Sequence, residues 1–328
     1  MDDNARRCKR KRDLQLDDAF LYGGGVVAEL LRSEFLYGGG VVAEELRSEI
    51  THVRVGPHIK DIPSKAFKGC TNLVQVQFYE GLEVIGDQAF RDCKALQEVT
   101  IPSSVTMLGG WAFQGCINLA KVQFNEGLQI IEHNAFQECK ALVQVIIPSS
   151  VTELGYGAFY NCVNLSDVQF HAWFHDGLKN IEGRAFFNCV ALRRVSIPSS
   201  VTKLGNGTFE RCINLANVQL NEGLQDIGNE AFAYCMALQQ VSIPSTVAKM
   251  GHRSFYSCTN LVSVKINKGV QKIRTKAFEQ GFAKRDYTFD RHQVGRTGIP
   301  RLRQSEGSAP QDGPQVEQVG IQWLYQPV

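Results

Sequence analysis

Long hydrophobic runs are missing: nowhere in its 328 residues does the sequence hold 18 consecutive apolar positions. No membrane-crossing helix is therefore predicted. Charge of one sign is missing as well. The 35 Lys and Arg against 33 Asp and Glu leave a formal charge of +2, which argues against a nucleic-acid surface spread over the whole chain. Paired Cys-x-x-Cys ligands are absent, which removes the commonest zinc pattern. The GlyGlyGly runs at 23–25 and 38–40 lack the Lys-Ser/Thr that would make them a phosphate loop. The basic run at 6–12, ArgArgCysLysArgLysArg, is followed by Asp and Leu rather than by an apolar stretch. It does not read as a secretory signal, and taken at face value the chain is expected in the cytoplasm, where thiols stay reduced. The same run is either a solubilising tail or a nuclear-import signal.

What the sequence does have is a period. Nine of its ten cysteines, from Cys70 to Cys258, are spaced by 23 residues, except that Cys162 and Cys189 are 27 apart. A Phe precedes each by three positions, and a Leu follows each by three and a Val by six. Such a fixed spacing marks stacked supersecondary units, none able to bury its own apolar face alone. The template extends back to Ile50 and forward to Phe278, where Gly281 stands in the cysteine position. The solenoid is therefore predicted over 50–281, with ten strand positions. Two repeat types alternate, CTNLVQVQFYEGLEVIGDQAF (70–90) and CKALQEVTIPSSVTMLGGWAF (93–113), so the duplicated unit is 46 residues long.

Within a repeat, Leu-x-x-Val-x-Ile alternates with period two and predicts a short strand. Pro102, Pro148, Pro198 and Pro244 end it in every second repeat, since proline cannot donate to a ladder. Ala-Phe-x-x-Cys-x-x-Leu has helical spacing and predicts one or two helical turns on the outer side.

The string Val99-Thr-Ile-Pro-Ser-Ser-Val105, with Leu108-Gly109, Ala112-Phe113, Cys116 and Leu119 after it, resembles the BspA-like leucine-rich repeats, the type-5 class. The resemblance covers residues 50–281. It implies an α/β repeat solenoid, a right-handed superhelix with a parallel concave β-sheet and short helical turns on the convex side. It also implies binding of a ligand or partner without enzymatic activity, but no particular ligand. One departure stands out. The Asn ladder of commoner leucine-rich repeats is replaced here by Gly81, Ser104, Gly127 and Ser150, so the loop hydrogen bonds must be made differently.

Outside the solenoid, FLYGGGVVAELLRSE (20–34) recurs as FLYGGGVVAEELRSE (35–49), with Leu30 against Glu45 the one change. The second copy is expected to cap the first repeat through Val41, Val42 and Leu46, because a solenoid end is otherwise apolar and open. Residues 1–19 read as a basic, disordered tail, and 282–328, with Pro300, Pro310 and Pro314 and mixed charge, as mostly disordered.

Four features are candidates for function. A thiol every 23 residues is either a metal or redox ladder or, more simply, a column of small buried apolar groups. A four-residue insertion, which turns the Phe-Asn-Glu-Gly of 124–127 into Phe-His-Ala-Trp-Phe-His-Asp-Gly at 170–177, is the single break in the period. His171, His175 and Asp176 could share a metal, but no further ligand is assured; the alternative is an aromatic bulge of Trp173 and Phe174 at the rim of the concave face, or a loop folded onto its own repeat. Residues five, seven and nine after each Cys are expected to face outward. The middle row includes Gln123, Gln169 and Gln219, and the row before it Arg194. Amides and hydroxyls suit peptide backbone or sugar hydroxyls rather than phosphates, although a Gln ladder can also merely solvate a sheet. No Ser-His-Asp or Cys-His pair stands out. The expectation is a non-catalytic scaffold binding a protein or peptide on the concave face, through Trp173, Phe174, His171, Gln123, Gln169, Gln219 and Arg194. The alternative is a cell-surface adhesin binding glycan or matrix. Nucleic acid, metal and cofactor are not expected.

Overall fold

The computed structural model describes residues 28–31, 34–171, 177–281, 287–289 and 302–304. Within them the chain winds into a solenoid whose coils have three sides. The first side carries one strand per coil, from His52–Val55 to Ser263–Ile266, and these ten strands lie parallel in sequence order. Alternation explains them: in Gln75–Gln77 and Glu98–Thr100 the central Val is buried while both flanking residues are exposed. The second side is a ten-stranded parallel sheet of two-residue strands, from Asp61–Ile62 to Lys272–Ile273.

Register follows the repeat. Gln75 pairs with Glu98 and Glu98 with Lys121, each one period on. Across the insertion, Asp167 pairs with Arg194 on the first sheet and Glu153 with Asn180 on the second. Both ladders therefore survive four extra residues, which are absorbed at the corner between Phe170 and Asn180.

The third side departs from expectation. It contains tight turns, not the helical turns predicted from Ala-Phe-x-x-Cys. The reason lies in the backbone. In each coil the residues five and one before the cysteine have positive φ, for example Gln88 at 56° and Asp92 at 61°, then Asn134 at 54° and Glu138 at 61°. A left-handed residue every fourth position interrupts a right-handed helix. The amide hydrogens divide accordingly. Those of Gln88, Phe90 and Asp92 donate to Gly110, Ala112 and Gln114 of the next coil, whereas those of Ala89, Arg91 and Cys93 close local turns. Bonding between coils replaces bonding along a helix.

The core is a set of columns. Ten Phe rings, from Phe67 to Phe278, stack face to face, with successive centroids between 5.0 and 5.4 Å apart in every pair. Each such contact adds about 0.5–1.5 kcal/mol to the burial of the ring itself. Beside them runs the cysteine column, and Leu and Val columns complete the interior. In the proline-bearing coils the residue nine after Cys, expected to face outward, is instead buried: Pro102, Pro148, Pro198 and Pro244 turn inward. Lacking an amide hydrogen, they lose nothing by leaving the ladder there.

At the N-terminal end, Glu34–Tyr37 adds a parallel strand before His52–Val55, and Ala28–Leu31 pairs antiparallel to it. Tyr37 is fully buried, its ring centroid 4.6 Å from that of Phe67, and it starts the aromatic column. Of the three residues expected to cover the first repeat, Val42 is buried, Leu46 is half-buried against the core and Val41 is 46% exposed. The covering is shared with Phe35 and Tyr37. The two 15-residue copies fold differently. AELL at 28–31 is a strand, while the matching Glu44–Leu46 of the second copy is a 3-10 turn. Tertiary pairing overrides local propensity here. At the other end, Tyr287–Phe289 and Leu302–Gln304 pair antiparallel.

Candidate functional site

The exposed rows of the first sheet form the candidate site. Gln123, Gln169, Arg194 and Gln219 are all exposed on it. Between the strands Asp167–Phe170 and Ser263–Ile266 lies a groove of about 1050 Å³. Gln169, Arg194 and Gln219 line it, and Gln123 lies on the same face outside it. Asp167, Arg194 and Lys265 are its charged lining residues. The remaining polar lining is amide and hydroxyl, with Ser196 and Ser242 alternating with the glutamines.

The groove's polar groups are partly organised by one another. Asp167 Oδ2 accepts from Gln169 Nε2 at 2.6 Å and from Gln144 Nε2 at 3.0 Å. Gln219 Nε2 donates to Asn221 Oδ1 at 3.1 Å, and Asn221 Nδ2 donates to the Ile197 carbonyl at 2.8 Å. Phe170, half-buried, stands at one end, its ring edge-on to Phe186 at 6.4 Å. Phe170 and Asn221 were not among the residues singled out from sequence; Asn221 belongs to the third outward row, nine after Cys212, and Phe170 stands eight after Cys162, at a position expected to be apolar.

His171 is exposed and its backbone N–H donates to the Ile147 carbonyl at 2.9 Å. Trp173, Phe174, His175 and Asp176 lie outside the described residues, as does the basic run at 6–12. Among the described residues, no group of three or more His, Cys, Asp or Glu could hold a metal, and no helix is long and apolar enough to cross a membrane.

The nine thiols from Cys70 to Cys258 are fully buried and unpaired with one another. Eight of them, from Cys93 to Cys258, donate to the carbonyl of the Phe one coil back, for example Cys162 Sγ to Phe136 O at 3.1 Å and Cys212 Sγ to Phe186 O at 3.2 Å. Burial pushes the Cys162 and Cys212 thiols up to about 12. A thiol so protonated is a poor nucleophile. The column is packing with a weak hydrogen bond attached.

The missing Asn ladder is replaced by a carboxylate clip. Glu80 accepts from the Ser103 amide at 3.2 Å, the Ser103 hydroxyl at 3.1 Å and the Ser104 amide at 3.2 Å, all one coil on. Ser104 Oγ in turn accepts from the Gly81 amide at 2.9 Å and donates to the Leu82 carbonyl at 2.7 Å. The same set recurs at Glu126 with Ser149 and Ser150, and at Glu222 with Ser245 and Thr246. The amide of Ser103 holds the Glu80 carboxyl below its ordinary range; at Glu126 burial opposes the shift, but the Ser149 and Ser150 donors prevail. Three such clips are described, joining the coils of Cys70 and Cys93, of Cys116 and Cys139, and of Cys212 and Cys235, and they follow the 46-residue alternation.

A model of the BspA type leucine-rich repeat region matches residues 47–166 and 170–284, in six copies. Among solved structures, a leucine-rich cell surface protein from Faecalibacterium prausnitzii is 24% identical, over 71% of this chain and 79% of that one, with a TM-score of 0.42. The pneumococcal vaccine antigen PcpA is 22% identical over 69% of this chain and 64% of its own, with a TM-score of 0.49. A leucine-rich repeat protein from Eubacterium ventriosum is 19% identical over 74% and 91%, with a TM-score of 0.45. No curated protein sequence matches the chain. With the model spanning well over half of its length, the chain belongs to the BspA-type leucine-rich-repeat family.

Proposed function

We propose that the protein is a non-catalytic scaffold that binds a protein or peptide partner on the concave face of its long parallel sheet. The groove of about 1050 Å³ between Asp167 and Lys265 carries this reading. A rigid solenoid presents side chains at fixed spacing without reorganising, which lowers the cost of association. The lining favours hydrogen bonding to an uncharged backbone over capture of a phosphate, for which two cations beside one anion are too few. The buried, protonated thiols give it no activated nucleophile among the described cysteines.

Affinity capture with the full chain, with a Gln169→Ala plus Gln219→Ala variant, and with an Arg194→Ala variant tests the site. The groove variants are expected to lose a partner that wild type retains. Recovery of the same proteins in the same amounts by all three would overturn the site assignment.

A further inference from the structure

We propose that the groove takes a peptide in the polyproline II conformation, lying across the strands along the solenoid axis. This rests on the binding role just given and specifies its ligand. Neighbouring strands of a sheet are about 4.8 Å apart. Gln169 and Gln219 are two strands apart, with Ser196 between them and Ser242 on the next strand. The amide therefore recurs every ~9.6 Å along the axis. A polyproline II chain rises about 3.1 Å per residue with three residues per turn, so one of its faces returns every ~9.3 Å. From the strand of Gln169 to that of Lys265 the two lattices, at about 19.2 and 18.6 Å, differ by less than about 1 Å. An extended strand returns the same face every ~6.7 Å, which fits neither one nor two strand steps. An α-helix returns after seven residues, about 10.5 Å, and drifts out of step by about 2 Å over the same span.

The chemistry agrees with the spacing. A polyproline II backbone makes no internal hydrogen bonds and leaves its carbonyls to solvent, so a receptor needs donors. Gln169 Nε2 and Gln219 Nε2 each give a proton to a neighbour, and an amide nitrogen carries two. The Ser196 and Ser242 hydroxyls are exposed and bond to none of the described residues. Two cations against one anion suit a neutral or weakly acidic peptide. Phe170 offers apolar surface to a proline ring at one end.

Fluorescence anisotropy with the full chain tests this, using a labelled 15-residue peptide of Pro-Pro-Gln repeats, a helical Ala/Glu/Lys peptide and an extended Thr/Val peptide of the same length. The Pro-Pro-Gln peptide is expected to bind and the others not. Gln169→Ala plus Gln219→Ala is expected to weaken it at least about fivefold, the loss of two ordinary hydrogen bonds. Lys140→Ala plus Tyr156→Ala, away from this face, should leave it unchanged. No Pro-Pro-Gln binding up to millimolar peptide, equal binding of all three peptides, or indifference to the glutamine changes overturns the conformational assignment. If the glutamine changes abolish a captured protein partner in those same cases, the scaffold reading stands. If they abolish peptide binding but leave every captured protein in place, the scaffold reading fails instead.

Discussion

Glu126 Oε2 accepts the hydroxyl proton of Ser149 at 3.0 Å, and the two residues belong to different coils. The carboxylate also takes the Ser149 and Ser150 amides, so one side chain closes a corner that a commoner leucine-rich repeat closes with asparagine. Glu126→Gln keeps the shape but removes the charge that strengthens these bonds. It is expected to lower stability by about 0.5–1 kcal/mol at neutral pH. The pH dependence has a definite sign. The folded pKa of Glu80, Glu126 and Glu222 is lowered. Their contribution is thus complete above the ordinary carboxylate range, about 4.3, and fades as pH falls through the lowered folded value. Urea midpoints of wild type and Glu126→Gln should differ at pH 7 and converge as the pH falls through the lowered folded value.

Phe159 sits mid-column, with Phe136 at 5.3 Å on one side and Phe186 at 5.4 Å on the other. Phe159→Ala is expected to cost about 3–5 kcal/mol and to break contact with both neighbours. Because each coil touches only the next, the loss should appear as a split transition, the two halves unfolding separately. A single sharp calorimetric transition at an unchanged midpoint would argue against the stack as a source of cohesion.

Thiol reactivity checks the cysteine column. With Cys162 and Cys212 held near 12 by burial, the nine solenoid thiols should ignore a thiol reagent at pH 8 and react together once urea unfolds the chain. Staged labelling of individual cysteines in the native protein would contradict the packing described.

Gly127 occupies φ +117°, and a Cβ there would meet the Ser103 carbonyl oxygen at 2.0 Å. Backbone fills that space, so nothing flexible can yield. Gly127→Ala is expected to destabilise by about 1–3 kcal/mol from conformational strain alone, read as a lower urea midpoint with an unchanged slope.

The parts of this fold legible in the sequence are those where burial repeats. Phe67 to Phe278, Cys70 to Cys258 and Leu73 to Leu261 recur because each column has one shape to fill, and the outward rows of Gln75 and Gln77 follow from period-two alternation. The turns were not legible. Ala112, Phe113, Cys116 and Leu119 have the spacing of a helix, and their left-handed positions are filled by Trp111, Asn134, Arg184 and Tyr234 as readily as by glycine. No residue type announces the change of hand. The carboxylate clips left a signal, since Glu80, Glu126 and Glu222 alternate with the SerSer and SerThr pairs that bind them; only their pairing across coils needed coordinates. Of the residues proposed for binding, Gln169, Arg194 and Gln219 line one groove, and Gln123 lies beyond it. That division depends on how successive coils sit side by side, which no local pattern encodes.

The most direct test of the binding face is site-specific photocrosslinking with a partner recovered by affinity capture. A photoreactive residue in place of Gln219 or Ser196 in the groove, or of Lys140 beside the turns, would be irradiated in the complex and the adducts mapped by mass spectrometry. Adducts at 219 and 196 with none at 140 are expected. Adducts at 140 with none in the groove would contradict the concave face as the binding surface.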